Sequence, residues 1–179
     1  MSPWKFGDPF DSWLCPQSQV QLELLIAQHQ IEHVLEIGTC YGCSAIWFAQ
    51  RVPMVVCVDM WVDIPEHFFY DTYEAFNANT KAAGVAHKVR IVSGDSHDRC
   101  TRRNIQLIRE RFDLVYLDGD HTYKGCASDI RTYGRLAGKI LCGDDYDPDS
   151  PDLAGVVQAV DQLVPSRQIA GRFWWMRRK

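Results

Sequence analysis

Five short apolar runs of this chain each end at acidic residues, and carboxylates can bind hydroxyl groups, amines or metal ions. The runs are rich in β-branched residues and bounded by Gly and Asp, which is typical of buried parallel strands. Ligands of open α/β sheets bind outside the carboxyl ends of the strands, so these residues predict a ligand site at one edge of a sheet. They are Glu36, Asp59, Asp95, Asp118 and the pair Asp144-Asp145.

A glycine loop follows the first apolar run and precedes a predicted helix. Gly38 and Gly42 are four residues apart, and glycine permits the positive φ and close ligand approach that a sharp turn requires. The first amides of the following helix, which contains Ser44, can bind an anionic group. The G-x-G-x-x-G fingerprint of dinucleotide-binding loops is absent, which argues against NAD and FAD. The G-x-x-x-x-G-K-[ST] pattern is absent too, which excludes a P-loop.

Asp59 follows the glycine loop at the distance expected of a ribose ligand. It lies 21 residues after Gly38, at the end of the second run. A carboxylate there can accept two hydrogen bonds from ribose hydroxyls. The alternative is that Asp59 only caps a turn. Its coupling to Glu36 and the glycine loop favours the ribose contact.

The fourth and fifth runs end in a group of carboxylates that could bind a metal. Asp118 and Asp120, with His121, follow one run, and the pair Asp144-Asp145 follows the next. Carboxylates brought together repel each other unless they are protonated or bound to a cation. Oxygen ligands without Cys favour Mg²⁺, Mn²⁺ or Ca²⁺ over zinc. The alternative is a solvated acidic rim, with the later aspartates in a turn.

The elements that must position these residues alternate between strands and helices, which predicts an α/β fold with a doubly wound, mostly parallel sheet. A terminal antiparallel hairpin completes a predicted seven-stranded sheet. The predicted strands cover 33–37, 54–59, 88–92, 113–117, 139–142, 167–170 and 173–176. The predicted helices cover 17–30, 43–50, 71–83, 98–111, 124–136 and 152–164.

Three predictions concern apolar side chains. The first helix should bury a stripe of Val20, Leu24 and Ala27 that Leu22, Leu25 and Ile26 widen. The aromatic residues of the segments 1–16 and 61–73 could wall a substrate pocket, and ordinary packing or a dimer contact is the equal alternative. Trp174 and Trp175 of the last strand should belong to the core.

Length and composition place limits on the class of protein. The 179 residues suit a single domain, 1–179, with an N-terminal arm at 1–16. A net charge of −4 argues against a general nucleic-acid or membrane-surface binder, and no stretch is apolar enough for a membrane span. The seven cysteines, together with the lack of a signal-peptide pattern, favour a reduced cytoplasmic protein.

The segment 34–42, Val-Leu-Glu-Ile-Gly-Thr-Cys-Tyr-Gly, resembles motif I of class I S-adenosylmethionine-dependent methyltransferases. The resemblance covers roughly 31–146 and implies a Rossmann-like sheet. It implies that the glycine loop binds the methionine part of the cofactor, that Asp59 binds the ribose and that Gly94-Asp95-Ser96 borders the adenine. The cofactor-binding residues expected on this basis are Glu36, Gly38, Thr39, Tyr41, Gly42, Ser44, Asp59, Met60, Gly94, Asp95, Ser96 and Asp118.

The acids after the fourth and fifth strands resemble the metal ligands of small-molecule O-methyltransferases of the catechol and macrocin (sugar) types. That resemblance implies a metal, Mg²⁺ or else Mn²⁺ or Ca²⁺, bound by Asp118, Asp144 and Asp145. Catechol-type enzymes have a lysine as base at the position of His121, and sugar-type relatives are thought to use the acid at Asp120. Both residues stay candidates for the catalytic base, with His121 slightly favoured because it titrates near neutral pH.

The expected function is therefore an S-adenosylmethionine-dependent methyltransferase, specifically a divalent-metal-dependent O-methyltransferase of a small hydroxylated metabolite or sugar. One alternative is a metal-independent methyltransferase of the same fold that acts on another acceptor. The other, from a different class, is a non-catalytic S-adenosylmethionine-binding or regulatory protein. The expected partner is a small-molecule acceptor, without nucleic acid or membrane, and the short arm leaves open a site completed by a second copy in a homodimer.

Overall fold

The computed structural model describes residues 14–62 and 72–178, and these residues form a seven-stranded sheet with helices on both faces. The strands are β1 His33–Ile37, β2 Met54–Asp59, β3 Val89–Ser93, β4 Phe112–Leu117, β5 Ala137–Gly143, β6 Gln168–Ala170 and β7 Phe173–Arg177. Their order in the sheet is β3-β2-β1-β4-β5-β7-β6. The first five strands are parallel, and β7 is antiparallel to both β5 and β6. The predicted sheet with its terminal hairpin is confirmed.

Six helices alternate with the strands in the described residues: α1 Pro16–His29, α2 Cys43–Ala49, α3 Thr72–Ala82, α4 Arg99–Ile108, α5 Tyr123–Tyr133 and α6 Ala154–Leu163. The prediction for the buried face of α1 is confirmed for Leu22 and Leu25 but was wrong for the stripe of Val20, Leu24 and Ala27. Ser18, Leu22 and Leu25 are buried, whereas Val20 and Leu24 are 60% and 47% exposed. The helix carries apolar side chains on two sides, so spacing alone does not identify the side that packs.

The sheet is buried on both faces because alternate side chains of each central strand point to opposite sides. Val34 of β1 packs into a cluster with residues of α1 and α2, and Leu35 packs into a second cluster with residues of α4, α5 and α6. Trp174 and Trp175 are 0% and 6% exposed, so the prediction that both belong to the core is confirmed. None of the described helices is long and apolar enough to cross a membrane.

The strand order reverses at β1, and this reversal positions the site. From β1 the chain builds outward through β2 and β3, then crosses to β4 on the other side of β1. The connections after β1 and β4 therefore leave the sheet in opposite directions and open a crevice at the carboxyl ends. At the other end of this edge, the turn that starts β7 lies beside the end of β5, because the Tyr146 amide donates to the Arg172 carbonyl at 2.9 Å.

Candidate active site

The glycine loop after β1 packs directly against the end of β4. Gly38 has φ of +85°, and a Cβ placed on it would lie 1.9 Å from the Asp118 carbonyl oxygen. Gly42, with φ of +87°, faces the Phe76 ring of α3, which a Cβ would approach to 2.6 Å. Any larger residue at Gly38 would collide with backbone atoms as well as adopt an unfavourable φ. The two glycines therefore allow the loop to enter the crevice between β1 and β4.

Asp59, at the end of β2, holds the glycine loop through backbone amides. Its Oδ2 accepts hydrogen bonds from the Thr39 and Cys40 amides at 2.9 and 2.8 Å, and its Oδ1 accepts one from the Trp61 amide at 2.8 Å. A carboxylate offers about four acceptor positions, so these three bonds leave room for a further donor. Asp59 lines the cavity, and its predicted contact with a ribose stays a prediction.

Glu36 lies behind the glycine loop and is fully buried. The Thr39 hydroxyl donates to its Oε2 at 2.9 Å, and its Oε1 has no hydrogen-bond partner in the described part of the chain. Burial raises the pKa of Glu36 to about 7, even though bonds from Ser44 and Thr39 lower it. Glu36 is absent from the lining of the cavity, so its geometry supports the loop rather than direct contact with a ligand.

A cavity of about 580 Å³ extends along the carboxyl ends of the strands, from the β3 end to the acids after β5. Its volume falls in the range of small-molecule and cofactor sites. All of the predicted site residues line it except Glu36 and Gly42. The predicted residues in its wall are Gly38, Thr39, Tyr41, Ser44, Asp59, Met60, Gly94, Asp95, Ser96, Asp118, Asp120, His121, Asp144 and Asp145.

At the β4–β5 end of the cavity, Asp118, His121 and Asp145 direct one potential metal-ligand atom each into a space where these atoms lie within 4.8 Å of one another. His121 Nε2 is 3.0 Å from Asp145 Oδ2. Arg172 Nη1, from the turn before β7, is 3.4 Å from Asp145 Oδ1. Both oxygens of Asp145 therefore face a basic group.

The carboxylates at this end have pKa values that move in opposite directions. Burial, together with the charges of Asp144 and Asp145, raises the pKa of Asp118 well above its usual value. Burial and the Asp145 charge also raise the pKa of Asp144. Burial would raise the pKa of Asp145 as well, but His121 and Arg172 lower it overall. The hydrogen bond to Asp145 in turn raises the pKa of His121.

Asp144, a predicted metal ligand, lines the same cavity but lies deeper than its neighbours. It is 4% exposed, and its Oδ1 accepts a hydrogen bond from the Asp145 amide at 2.9 Å. Asp145 adopts a left-handed φ of +63°, which separates the directions of the two adjacent side chains. The structure brings His121 into the cluster of converging atoms, whereas Asp144 borders it.

The two candidates for the base differ in their surroundings. Asp120 Oδ1 accepts a hydrogen bond from the Thr122 amide at 2.8 Å, and its carboxylate lies over Gly125 in the first turn of α5. A Cβ at Gly125 would come within 2.1 Å of Asp120 Oδ2. Asp120 thus holds the turn that precedes Thr122, the N-cap residue of α5, which favours His121 as the group that faces a substrate.

Sequence reasoning missed Arg172 in the cavity wall and Asp129 behind that wall. Arg172 lines the cavity from the β6–β7 turn, where a basic residue next to a glycine looks like an ordinary hairpin turn. Asp129 is 2% exposed in α5, and its Oδ1 accepts a hydrogen bond from the Ser96 hydroxyl at 3.0 Å. A signal for Asp129 was present: it is the acid on the same helix face as the apolar Cys126, Ile130 and Tyr133.

The predicted aromatic wall is only partly within the described residues. Trp61 is buried, its indole N–H donates to the Cys40 carbonyl at 3.0 Å, and its ring lies 5.2 Å from that of Phe76. These contacts support the glycine loop, and Trp61 does not line the cavity. For Trp61 the packing alternative therefore holds. The aromatic residues of 1–13 and 63–71 lie outside the described residues.

The fold and the cavity define a Rossmann-like α/β protein with its ligand site at the reversal of strand order. A family model described as a methyltransferase domain matches residues 35–146, which include the glycine loop and all of the strand-end acids. The chain belongs to this methyltransferase domain family.

Individual relatives agree with this assignment. A catechol O-methyltransferase from Mycobacterium tuberculosis is 35% identical over 97 residues, which cover 54% of this chain and 40% of that protein. The chain thus spans less than half the length of this relative.

Solved structures share the fold. An O-methyltransferase from Bacillus cereus in complex with SAH is 18% identical, with a TM-score of 0.66 over 93% of this chain and 82% of that one. An O-methyltransferase from Streptomyces achromogenes involved in tomaymycin synthesis, in complex with SAM, is 21% identical, with a TM-score of 0.62 over 92% and 80%.

Proposed function

We propose that this chain transfers a methyl group from S-adenosylmethionine to a hydroxyl of a small metabolite or sugar, with a divalent cation bound at the acid cluster. The observation that carries the proposal is a single cavity that joins the glycine loop of β1 to the acids after β4 and β5. Methyl transfer requires donor and acceptor to be held in line, with the reacting atoms about 3 Å apart. One continuous cavity can hold both.

The β1–β2 end of the cavity is suited to the cofactor. The loop between Gly38 and Gly42 brings backbone atoms to the cavity wall, and Asp59 holds this loop in place from the end of β2. Asp59 retains an acceptor position for a ribose hydroxyl. The relatives with bound SAM or SAH, together with the family match, favour the same assignment.

The acid cluster fits a hard cation. Asp118 and Asp144 have raised pKa values because of desolvation and of neighbouring carboxylate charges, those of Asp144 and Asp145 for Asp118 and that of Asp145 for Asp144, so the fully ionised cluster is unfavourable without positive charge. Carboxylate oxygens suit Mg²⁺, Mn²⁺ or Ca²⁺, and His121 adds one nitrogen to the converging atoms. We assign Asp118, Asp144 and Asp145 as the metal ligands, with His121 beside them.

The chain's own residues orient the acceptor and take its proton. When bound, S-adenosylmethionine supplies an electrophilic methyl carbon, and the cation supplies charge that orients the acceptor hydroxyl and lowers its pKa. His121, half-exposed in the cavity wall, accepts the hydroxyl proton at Nδ1, because its Nε2 faces the Asp145 carboxylate and Asp120 is engaged with the start of α5. Asp145 stabilises the protonated His121.

One observation favours a second candidate, a methyltransferase of the same fold that needs no metal. His121 and Arg172 approach the two oxygens of Asp145 and supply positive charge without a cation. Such an enzyme would orient its acceptor with these side chains alone. A non-catalytic binder of S-adenosylmethionine is less favoured, since it has no use for acids gathered beyond the cofactor end of the cavity.

Two calorimetric titrations test the proposal. S-adenosylmethionine titrated into the protein should bind, and MnCl₂ should bind with an affinity that falls at least about tenfold in Asp118→Asn and in Asp144→Ala/Asp145→Ala, since a metal site loses a direct ligand. The matched control is Asp149→Asn, which removes an exposed carboxylate from the same acid-rich segment. The chelator-treated protein should lose methyl transfer to catechol and sugar acceptors, followed as SAH release.

The outcomes separate the candidates. Failure of S-adenosylmethionine to bind with or without Mg²⁺ would overturn the whole proposal. Binding of S-adenosylmethionine with full methyl transfer in chelator would establish the metal-independent enzyme instead. Equal Mn²⁺ affinity in the wild type and both acid variants would place any metal elsewhere.

A further inference from the structure

Helix α5 anchors the loop that follows β3, although α5 itself does not reach the cavity there. Asp129 Oδ1 accepts the Ser96 hydroxyl at 3.0 Å and lies 3.3 Å from His97 Nε2. One turn later, the Tyr133 hydroxyl donates to the Ser96 carbonyl. Ser96 and His97 line the cavity, whereas Asp129 and Tyr133 do not. The loop is thus fixed from behind at two points by one helix.

His97, which lies beside Asp129, also contacts Asp95. The His97 amide donates to Asp95 Oδ1 at 2.8 Å, and His97 Nδ1 lies 3.4 Å from the same oxygen. The His97 ring therefore stands between two carboxylates, with Asp129 on one side and Asp95 on the other. Asp95 Oδ2 has no hydrogen-bond partner among the described residues, and Asp95 is a partly exposed member of the cavity wall. Its second oxygen is free to accept a bond from a ligand.

Burying the Asp129 carboxylate costs free energy that its contacts with Ser96 and His97 must offset. Burial raises the pKa of Asp129 to about 6, although Ser96 and His97 lower it. An apolar side chain would avoid this cost in a face that otherwise consists of Cys126, Ile130 and Tyr133. What the carboxylate provides, and an apolar residue does not, is an acceptor for the Ser96 hydroxyl and a negative charge beside the His97 ring.

We propose that Asp129 is a positioning residue that acts through His97 to hold Asp95 where its free oxygen accepts a hydrogen bond from the amino group of an adenine base. The inference rests on the proposed function, because it takes an adenosyl cofactor as the ligand. A hypoxanthine base has a carbonyl in place of that amino group. The Asp95 oxygen would then face a second acceptor, and no hydrogen bond could form between them. Preference for adenine over hypoxanthine should therefore depend on Asp129, a residue outside the cavity.

The test compares the Kd values of SAH and S-inosylhomocysteine by calorimetry. The wild type should prefer SAH by about tenfold or more, the equilibrium effect of one net hydrogen bond. Asp129→Asn should lose most of this preference, mainly through weaker SAH binding. His97→Ala removes the ring between the two carboxylates, keeps the backbone amide bond to Asp95 and leaves the buried helix face unchanged, and it should produce the same loss. The double variant should be no worse than either single variant, because the two residues act as one unit.

Asp98→Asn is the matched control, since it removes a neighbouring exposed carboxylate that makes no side-chain cap bond. It should keep the wild-type preference. An unchanged preference in Asp129→Asn or in His97→Ala would overturn the inference while leaving the proposed function intact, since SAH still binds. Equal weakening of both ligands would also overturn it, because a loss of general loop order does not select between bases. Failure of the wild type to bind SAH would instead refute the proposed function.

Discussion

Gly38 offers a sharp test of how the fold builds its site, because a matched glycine exists elsewhere in the chain. Gly38 has φ of +85°, and its Cβ would lie 1.9 Å from the Asp118 carbonyl oxygen and 2.8 Å from Gly119 Cα. Gly84, which follows α3, has φ of +71°, and a Cβ there would meet nothing within 4 Å. The two positions share the backbone conformation and differ in the steric contact.

The expected magnitudes follow from this difference. Alanine at a left-handed φ costs about 1–2 kcal/mol, so Gly84→Ala should lower the free energy of unfolding by roughly that amount. Gly38→Ala adds an overlap with the backbone atoms of Asp118 and Gly119 after β4, and overpacking of this kind costs a further ~1–3 kcal/mol. The total for Gly38→Ala is therefore about 2–5 kcal/mol, and the loop must move away from β4.

Urea unfolding followed by tryptophan fluorescence measures both variants under identical conditions. A second readout is SAH affinity, which should fall in Gly38→Ala and stay near the wild-type value in Gly84→Ala. If Gly38→Ala destabilised the protein no more than Gly84→Ala and bound SAH normally, the close approach of the β1 loop to β4 would be wrong.

Two further predictions concern carboxylates with shifted pKa values. Glu36 has a pKa raised to about 7 by burial, so the folded state holds its proton more tightly than the unfolded state, and stability falls as pH rises from about 4.5 through 7. Urea unfolding from pH 4 to 9 should show Glu36→Gln gaining up to ~3 kcal/mol relative to the wild type, and parallel pH profiles would contradict this. Asp113 is the opposite case: burial raises its pKa, but Lys139 and the amides of Glu32 and His33 lower it overall. Its contribution, about 1–3 kcal/mol for bonds to a charged group, is present at neutral pH and starts to be lost as pH falls below about 4. Asp113→Asn should therefore be destabilised relative to the wild type at pH 7, by a margin that shrinks steadily as pH falls below about 4.

The strands could be predicted closely because their residues carry the signal locally. The predicted bounds 33–37 and 54–59 coincide with β1 and β2, where β-branched runs end at acidic or glycine residues. Strand β5 begins at Ala137, two residues before the prediction, because Gly138 interrupts the apolar run while Ala137 still pairs with Phe112 of β4, ahead of an irregularity in the register. A ladder of backbone hydrogen bonds does not require apolar side chains throughout.

The candidate site also contains a part that the local sequence predicts and a part that it does not. That Asp118 and Asp145 share a cavity could be predicted, since carboxyl ends of neighbouring parallel strands meet at one edge. The contact of Ser96 with Asp129 joins residues 33 positions apart across a helix–loop packing that no periodicity encodes. Arg172 likewise reaches Asp145 only because β7 returns antiparallel to β5.

The strand-end acids coexist at one edge because most of them are compensated, each in a different way. Glu36 lies in a buried site that favours its proton, with a pKa of about 7. Asp59 accepts hydrogen bonds from three backbone amides, and Asp95 faces His97. Asp145 lies between two basic side chains. Each of these arrangements reduces the repulsion that a row of carboxylates would otherwise create.

Asp118 and Asp144 are the acids whose negative charge none of these arrangements offsets. Desolvation raises the pKa of both, the charges of Asp144 and Asp145 add to it for Asp118, and the charge of Asp145 adds to it for Asp144. The one basic group that lowers both pKa values, Arg172, already lies against Asp145. Neutralising the two acids requires either protons or a cation, and a proton on each would leave fewer acceptors for a substrate hydroxyl. If a cation neutralises these two acids, adding Mg²⁺ should raise the urea concentration at the midpoint of unfolding in the wild type and leave that of Asp118→Asn unchanged. A cation stabilises the folded state only if it binds there, and the variant lacks one of the ligands.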